Sequence, residues 1–148
     1  MAVSVSGLFA VESATSATTA KKSTVIYTIK GNVQDAYYTM MDKPVKALGY
    51  RLPDPRKHVN LVYKEEYGST TLDVLSFMTI VNDKGVKPLL EIDPKLAGFN
   101  PFNVVIYKKK SKDETVISHL TAAAIIDMLG IKDEKVITEY TKQMDELD

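Results

Sequence analysis

The sequence predicts a single α+β domain over residues 23–148, and three observations lead there. The chain has 148 residues, 45% apolar and 26% charged, the proportions of an ordinary globular domain large enough to bury a core without staples. Four segments, at 23–29, 70–81, 103–108 and 115–120, read as strands from their period-two alternation or their β-branched and aromatic content. About five further segments have helix periodicity with end signals, and no stretch repeats another.

Ser23 to Ile29 is largely β-branched and aromatic, with Val25, Tyr27 and Ile29 on one face and Thr24, Ile26 and Thr28 on the other. Gly31 and Asn32 interrupt this first strand. Asn32 can accept from an orphan N–H at a helix start, and Asp35 falls in the first turn, where the helix dipole favours a carboxylate. The helix runs from Val33, with Val33, Ala36, Tyr37, Met40 and Met41 along one face, and stops near Leu48 before Gly49. Pro44 lacks an N–H and its ring meets the carbonyl of Met40, which predicts a kink or break, at about 3 kcal/mol in a regular helix interior. Pro53, Asp54 and Pro55 form a rigid link. A second short helix is predicted from His58 to Tyr67, with Val59, Val62 and Tyr63 on its apolar side and Gly68 as its stop.

Thr70 to Val81 carries apolar residues on both faces toward its end, which predicts a central strand with helices on one side and a partner subunit on the other. Asn82 and Asp83 predict a capped helix from Lys84 to Ile92, in which Pro88 fits only in the first turn or at a break. Asp93 before Pro94 starts a short turn that Gly98 ends, and Asn100 before Pro101 opens an extended piece. The strands at 103–108 and 115–120 are joined by the charged link from Lys109 to Glu114. Thr121 caps a helix from Ala122 to Leu129 with Gly130 at its end, and Asp133 caps a last helix from Glu134 to about Leu147.

Residues 1–22 are set apart from the fold. Up to Ala20 they carry one charge, Glu12; an apolar patch from Val3 to Val11 precedes small residues at Thr15 and Ala17. That order resembles the apolar and cleavage regions of an export signal, which would place the domain in the periplasm, although the basic leader is missing. A flexible tail of small polar residues accounts for the same composition. Elsewhere the chain has no run of 18 apolar residues to span a bilayer. Its 19 Lys and Arg balance 19 Asp and Glu, and only Arg51 and Arg56 are arginines, which argues against a nucleic-acid partner. The absence of cysteine removes thiol catalysis, disulfides and thiolate metal sites.

From Phe77 to Gly130, a helix carrying Leu89, Leu90, Glu91, Ile92, Asp93 and Pro94 leads into Phe99-Asn100-Pro101-Phe102-Asn103-Val104-Val105-Ile106-Tyr107. A lysine-rich hairpin and a strand into Ser118-His119-Leu120-Thr121 follow. This pattern, with the element order from Ser23 onward, resembles the domain-of-unknown-function 302 family. The resemblance covers roughly residues 23 to 130 and implies a small α+β domain with a mainly antiparallel four-stranded sheet, helices packed on one face, and a tendency to form homodimers. No agreed reaction travels with it. Pro44, Pro53 and Pro55 depart from the pattern and put the first helix's length and direction in question.

Candidate chemistry is sparse. His119, near a strand end, could serve as an acid–base group or a metal ligand, or be a strand-end histidine bonded to backbone. His58, beside Arg56 and Lys57, could receive an anion at a helix start or simply be solvated. Close together, with Met40 or Met41 beside them, His58 and His119 would make haem or copper plausible; Met40, Met41, Met78 and Met128 read more simply as core filling. Asn100, Phe102 and Asn103, with Phe99, could line a small-molecule pocket, although turn chemistry explains the same residue types. Glu65 and Glu66 point about 100° apart on a helix and cannot act as an acid–base pair, while Asp73 faces solvent on its strand. The favoured function is a non-catalytic homodimeric binding module with a pocket at Asn100, Phe102, Asn103 and His119, and no cofactor. The rival is a haem- or metal-binding redox carrier or small enzyme using His119, with or without His58.

Overall fold

A computed structural model of the chain describes residues 23–53 and 58–148. The N-terminal segment 1–22, with its export reading, and Asp54, Pro55, Arg56 and Lys57 of the link lie outside the described residues. The chain runs β1 (Thr24–Lys30), α1 (Gln34–Ala47), α2 (Val59–Tyr67), β2 (Leu72–Ile80), α3 (Asp83–Leu90), a 3-10 helix (Pro94–Phe99), β3 (Phe102–Lys109), β4 (Glu114–Leu120), α4 (Ala122–Leu129) and α5 (Glu134–Asp145). The four strands form one sheet in the order β1-β4-β3-β2, with every neighbouring pair antiparallel.

Alternation along the strands sets the two faces of the sheet. Val74, Ser76, Met78 and Ile80 of β2, Val104 and Ile106 of β3, and Ile117 of β4 are buried. Tyr38 and Val45 of α1, Val86 and Leu89 of α3, Leu96, Ile125 of α4, and Val136, Tyr140 and Met144 of α5 complete this core. On the other face Leu75, Phe77, Val105, Tyr107, Val116 and Ser118 are only half-buried. The predicted α+β class, the four antiparallel strands and the capped helices α3, α4 and α5 are all present, with Asn82, Thr121 and Asp133 each accepting from a backbone N–H of the helix it starts.

Several local expectations are corrected. β2 is an edge strand and not a central one. Its outer edge is held at one end by a bridge between Arg51 and Val81, and toward the other by the buried Asn60. Asn60 Nδ2 donates to the Asp73 carbonyl at 2.8 Å, and its Oδ1 accepts from Leu75 N at 3.2 Å. That attachment also turns α2, so that Asn60 faces inward while Val62 and Tyr63 of the expected apolar side are exposed, together with Leu61 and Tyr67.

Helix α1 runs unbroken through Pro44. The proline lies in the last turn, Leu48 N still reaches the Pro44 carbonyl at 3.1 Å, and the carbonyl that loses its helical partner is that of Met40, an exposed residue. The inward face is Gln34, Tyr38 and Val45, so Ala36 and Met40 point to solvent. Pro88 likewise sits beyond the first turn of α3, opposite the exposed Lys84. Of the methionines expected to fill the core, Met78 does so, whereas Met40 and Met128 are exposed.

Candidate functional site

One end of the sheet gathers most of the chemistry. Asp93 Oδ1 accepts from Lys95 N at 3.1 Å and starts the 3-10 helix, which delivers Phe99 and Asn100 to the entrance of β3 across a cis Asn100–Pro101 peptide. Phe102 then pairs with Ile80 and turns inward. Asn103, one residue later, necessarily points to the opposite face, where its Oδ1 accepts from Thr79 Oγ1 at 2.9 Å. Asn103 is therefore separated from the other predicted site residues.

His119 comes from the far end of β4 on the inner face and is nearly buried. Its ring meets that of Phe102 edge-on, with centroids 5.2 Å apart and planes at 79°. Nε2 lies 2.7 Å from Asp148 Oδ1 and Nδ1 lies 2.9 Å from the Leu120 carbonyl. Each ring nitrogen of His119 therefore has an oxygen within hydrogen-bond reach. A metal bound at either nitrogen would have to displace one of them. His58 is elsewhere: exposed, with φ of 55°, it leads α2 at the outer edge of β2, and β3 lies between that strand and β4. Among the described residues no group of three or more His, Cys, Asp or Glu side chains could hold a metal ion.

Asn100 and Phe102 line a cavity between the end of β2, α3 and α5, walled also by Phe99, Ile80, Tyr140 and Leu147. The space open to the centres of water-sized molecules is about 20 Å³, room for one or two waters. Its polar rim is braced from α5. Asn82 Nδ2 donates to Gln143 Oε1 at 2.9 Å, Gln143 Nε2 donates to the Gly85 carbonyl at 3.1 Å, and Tyr50 Oη donates to the Gln143 carbonyl at 3.1 Å. The Tyr140 hydroxyl is buried with no hydrogen-bond partner, and burial pushes its phenol up to about 12. Burial also raises Tyr50 to about 12, helped by Glu146, and Tyr37 to about 12, helped by Tyr27 and Asp148. Gln143, Tyr140 and Gly85 were missed by the sequence reading. The spacing of Val136, Tyr140 and Met144 along one face of α5 is the signal that places Tyr140 inside; nothing in the local sequence marks Gln143 as its neighbour's brace.

No family model matches the sequence, and no curated protein matches it. Among solved structures, the chain is similar to an uncharacterized conserved protein DUF302 from Bacillus stearothermophilus. The two share 14% identity with a TM-score of 0.68, over 82% of this chain and 91% of that one. The likeness in fold supports the resemblance read from the sequence. No helix among the described residues is long and apolar enough to cross a membrane.

Proposed function

We propose that the chain is a non-catalytic binding module that works as a homodimer, with the half-buried sheet face as the surface for a second copy and the cavity at Asn100 and Phe102 as a small-molecule site. The observation that carries the reading is the make-up of that face. Across the strands, Leu75, Tyr107, Val116 and Thr28 form one row and Phe77, Val105, Ser118 and Ile26 the next. No charged side chain interrupts either row, and Ile26 is 60% exposed. An uncharged apolar sheet face is matched by its own copy without any charge complement, and covering it removes the exposed patch from water.

The metal-binding alternative is disfavoured because both ring nitrogens of His119 already face oxygens, of Asp148 and of the Leu120 carbonyl. The order of residues 1–22 supports export. Light scattering at micromolar concentration tests the dimer: twice the chain mass is expected, and Phe77→Asp should give a folded monomer by circular dichroism. A monomeric wild type overturns the dimer. Native mass spectrometry of protein purified from its own host reports a retained ligand, and the intact mass shows whether the first 22 residues have been removed.

A further inference from the structure

We propose that the cavity is the closed form of a site for a small uncharged molecule with an apolar body and one hydroxyl or carbonyl oxygen, that Asn100 binds this oxygen, and that Leu147 and Asp148 form a cover fastened by His119. The proposal rests on the small-molecule half of the reading above and names the ligand class.

The walls define the class by what they contain. Phe99, Phe102, Ile80, Met144 and Leu147 supply an apolar lining, and no Asp, Glu, Lys, Arg or His side chain lines the cavity. A charged ligand would lose its hydration there with no counter-charge in return. Of the polar side chains at the rim, Asn82 and Gln143 bond each other and Tyr50 bonds the Gln143 carbonyl. The Asn100 carboxamide makes no hydrogen bond among the described residues, and it stands half-exposed at the cavity. Tyr140, 3% exposed, also lines the cavity, and its hydroxyl has no hydrogen-bond partner. An amide and a phenol are neutral groups that can each donate to one oxygen.

The cover follows from chain order. Helix α5 ends at Asp145, and Leu147, which lines the cavity, lies beyond it next to Asp148. Leu147 N bonds the Met144 carbonyl at 3.0 Å, and the side-chain fastening is His119 Nε2 to Asp148 Oδ1 at 2.7 Å. A space of about 20 Å³ admits water and little else, so a larger guest needs a wall to move, and the cover proposed is Leu147, whose outward swing would break the neighbouring His119–Asp148 bond. The bound form therefore carries an opening cost, which lowers apparent affinity until the fastening is removed.

The test uses the full chain and three probes of similar shape: benzyl alcohol, toluene and benzoate. Methyl and aromatic NMR resonances report binding, with titration to about 20 mM, the weak Kd expected for a ligand of eight heavy atoms. Benzyl alcohol should shift Leu147, Met144 and Ile80, and Asp148→Ala should tighten it by roughly threefold to tenfold. Asn100→Ala should weaken benzyl alcohol at least about fivefold and leave toluene unchanged, since only the oxygen contact is lost. Benzoate bound as tightly as benzyl alcohol overturns the ligand class while leaving a site in place. Tightening absent in Asp148→Ala overturns the cover. Benzyl alcohol silent in both the wild type and Asp148→Ala overturns the site and, with it, the small-molecule half of the functional reading; the dimer is judged separately by light scattering.

Discussion

The carboxamide of Asn60 treats Leu75 as a neighbouring strand would, accepting its N–H while donating to the carbonyl two residues earlier, at Asp73. One side chain thus satisfies two outward backbone groups of an edge that would otherwise invite another chain. Asn60→Leu keeps the size and removes both bonds. Urea unfolding should show a loss of about 1–3 kcal/mol, and light scattering an increased tendency to associate. A loss below about 0.5 kcal/mol would mean that water replaces the amide at no net cost.

Gly85 is required for closeness. A Cβ there would stand 2.8 Å from Gln143 Oε1 and would also crowd Asn82, the pair that ties α3 to α5. Gly85→Ala gains helix propensity of roughly 1 kcal/mol but displaces that pair, and the overpacking costs about 1–3 kcal/mol. The expected result is a lower melting temperature, with the shift reduced when Gln143→Ala is combined with it. A Gly85→Ala variant more stable than the wild type would show that the tie yields easily.

The methionines give an internal contrast. Met78 is fully buried between the sheet and its helices, while Met40 is 59% exposed. Met78→Ala should cost about 2–5 kcal/mol in denaturant unfolding, and Met40→Ala should stay within about 0.5 kcal/mol. Equal effects at the two positions would contradict the way α1 is turned.

Buried tyrosines set the alkaline limit. The Tyr140 phenol is raised from 10.0 to about 12 by burial, so between those values the folded chain keeps a proton that the unfolded chain has released. Stability is then full below pH 10 and falls as pH rises toward 12, by up to about 1.4 kcal/mol per pH unit for this group. Tyr37 and Tyr50, also raised to about 12, act in the same direction. Tyr140→Phe removes one buried hydroxyl that has no partner, and it should be no less stable at pH 7 and lose stability less steeply above pH 10. An unchanged alkaline slope would place the titration elsewhere.

What the sequence disclosed follows the range of each signal. Caps and stops at Asn82, Thr121, Asp133, Gly68 and Gly130 act within a turn of backbone, so the helices α3, α4 and α5 were legible to within two or three residues. Strand alternation was legible too, but strand order was not: β2 carries apolar residues on both faces as a central strand does, because its inner side meets the core and its outer side is half-buried. Helix facing failed wherever polar contacts decide it. Gln34 and Asn60 sit inward, on α1 and α2, against any hydrophobic pattern. At the site, the rings of the candidates Phe102 and His119 meet edge-on, although His119 does not line the cavity, and Asp148, the group bonded to His119, is 29 residues away and carries no local mark. Asn103 was grouped with Asn100 by sequence proximity, which the pleat undoes.

The sheet order has a consequence for how the chain is made. Among the described strands β1 is synthesised first, yet its only described sheet neighbour is β4, and beyond its end Val33 N meets Thr115 Oγ1 from 82 residues further on. At about 5–20 residues per second, those residues take roughly 4–16 s to emerge, and throughout that interval β1 lacks the strand it pairs with among the described residues. The β2–β3–β4 meander can assemble first, and β1 docks last, closing the longest loop in the sheet against the entropy of the intervening chain.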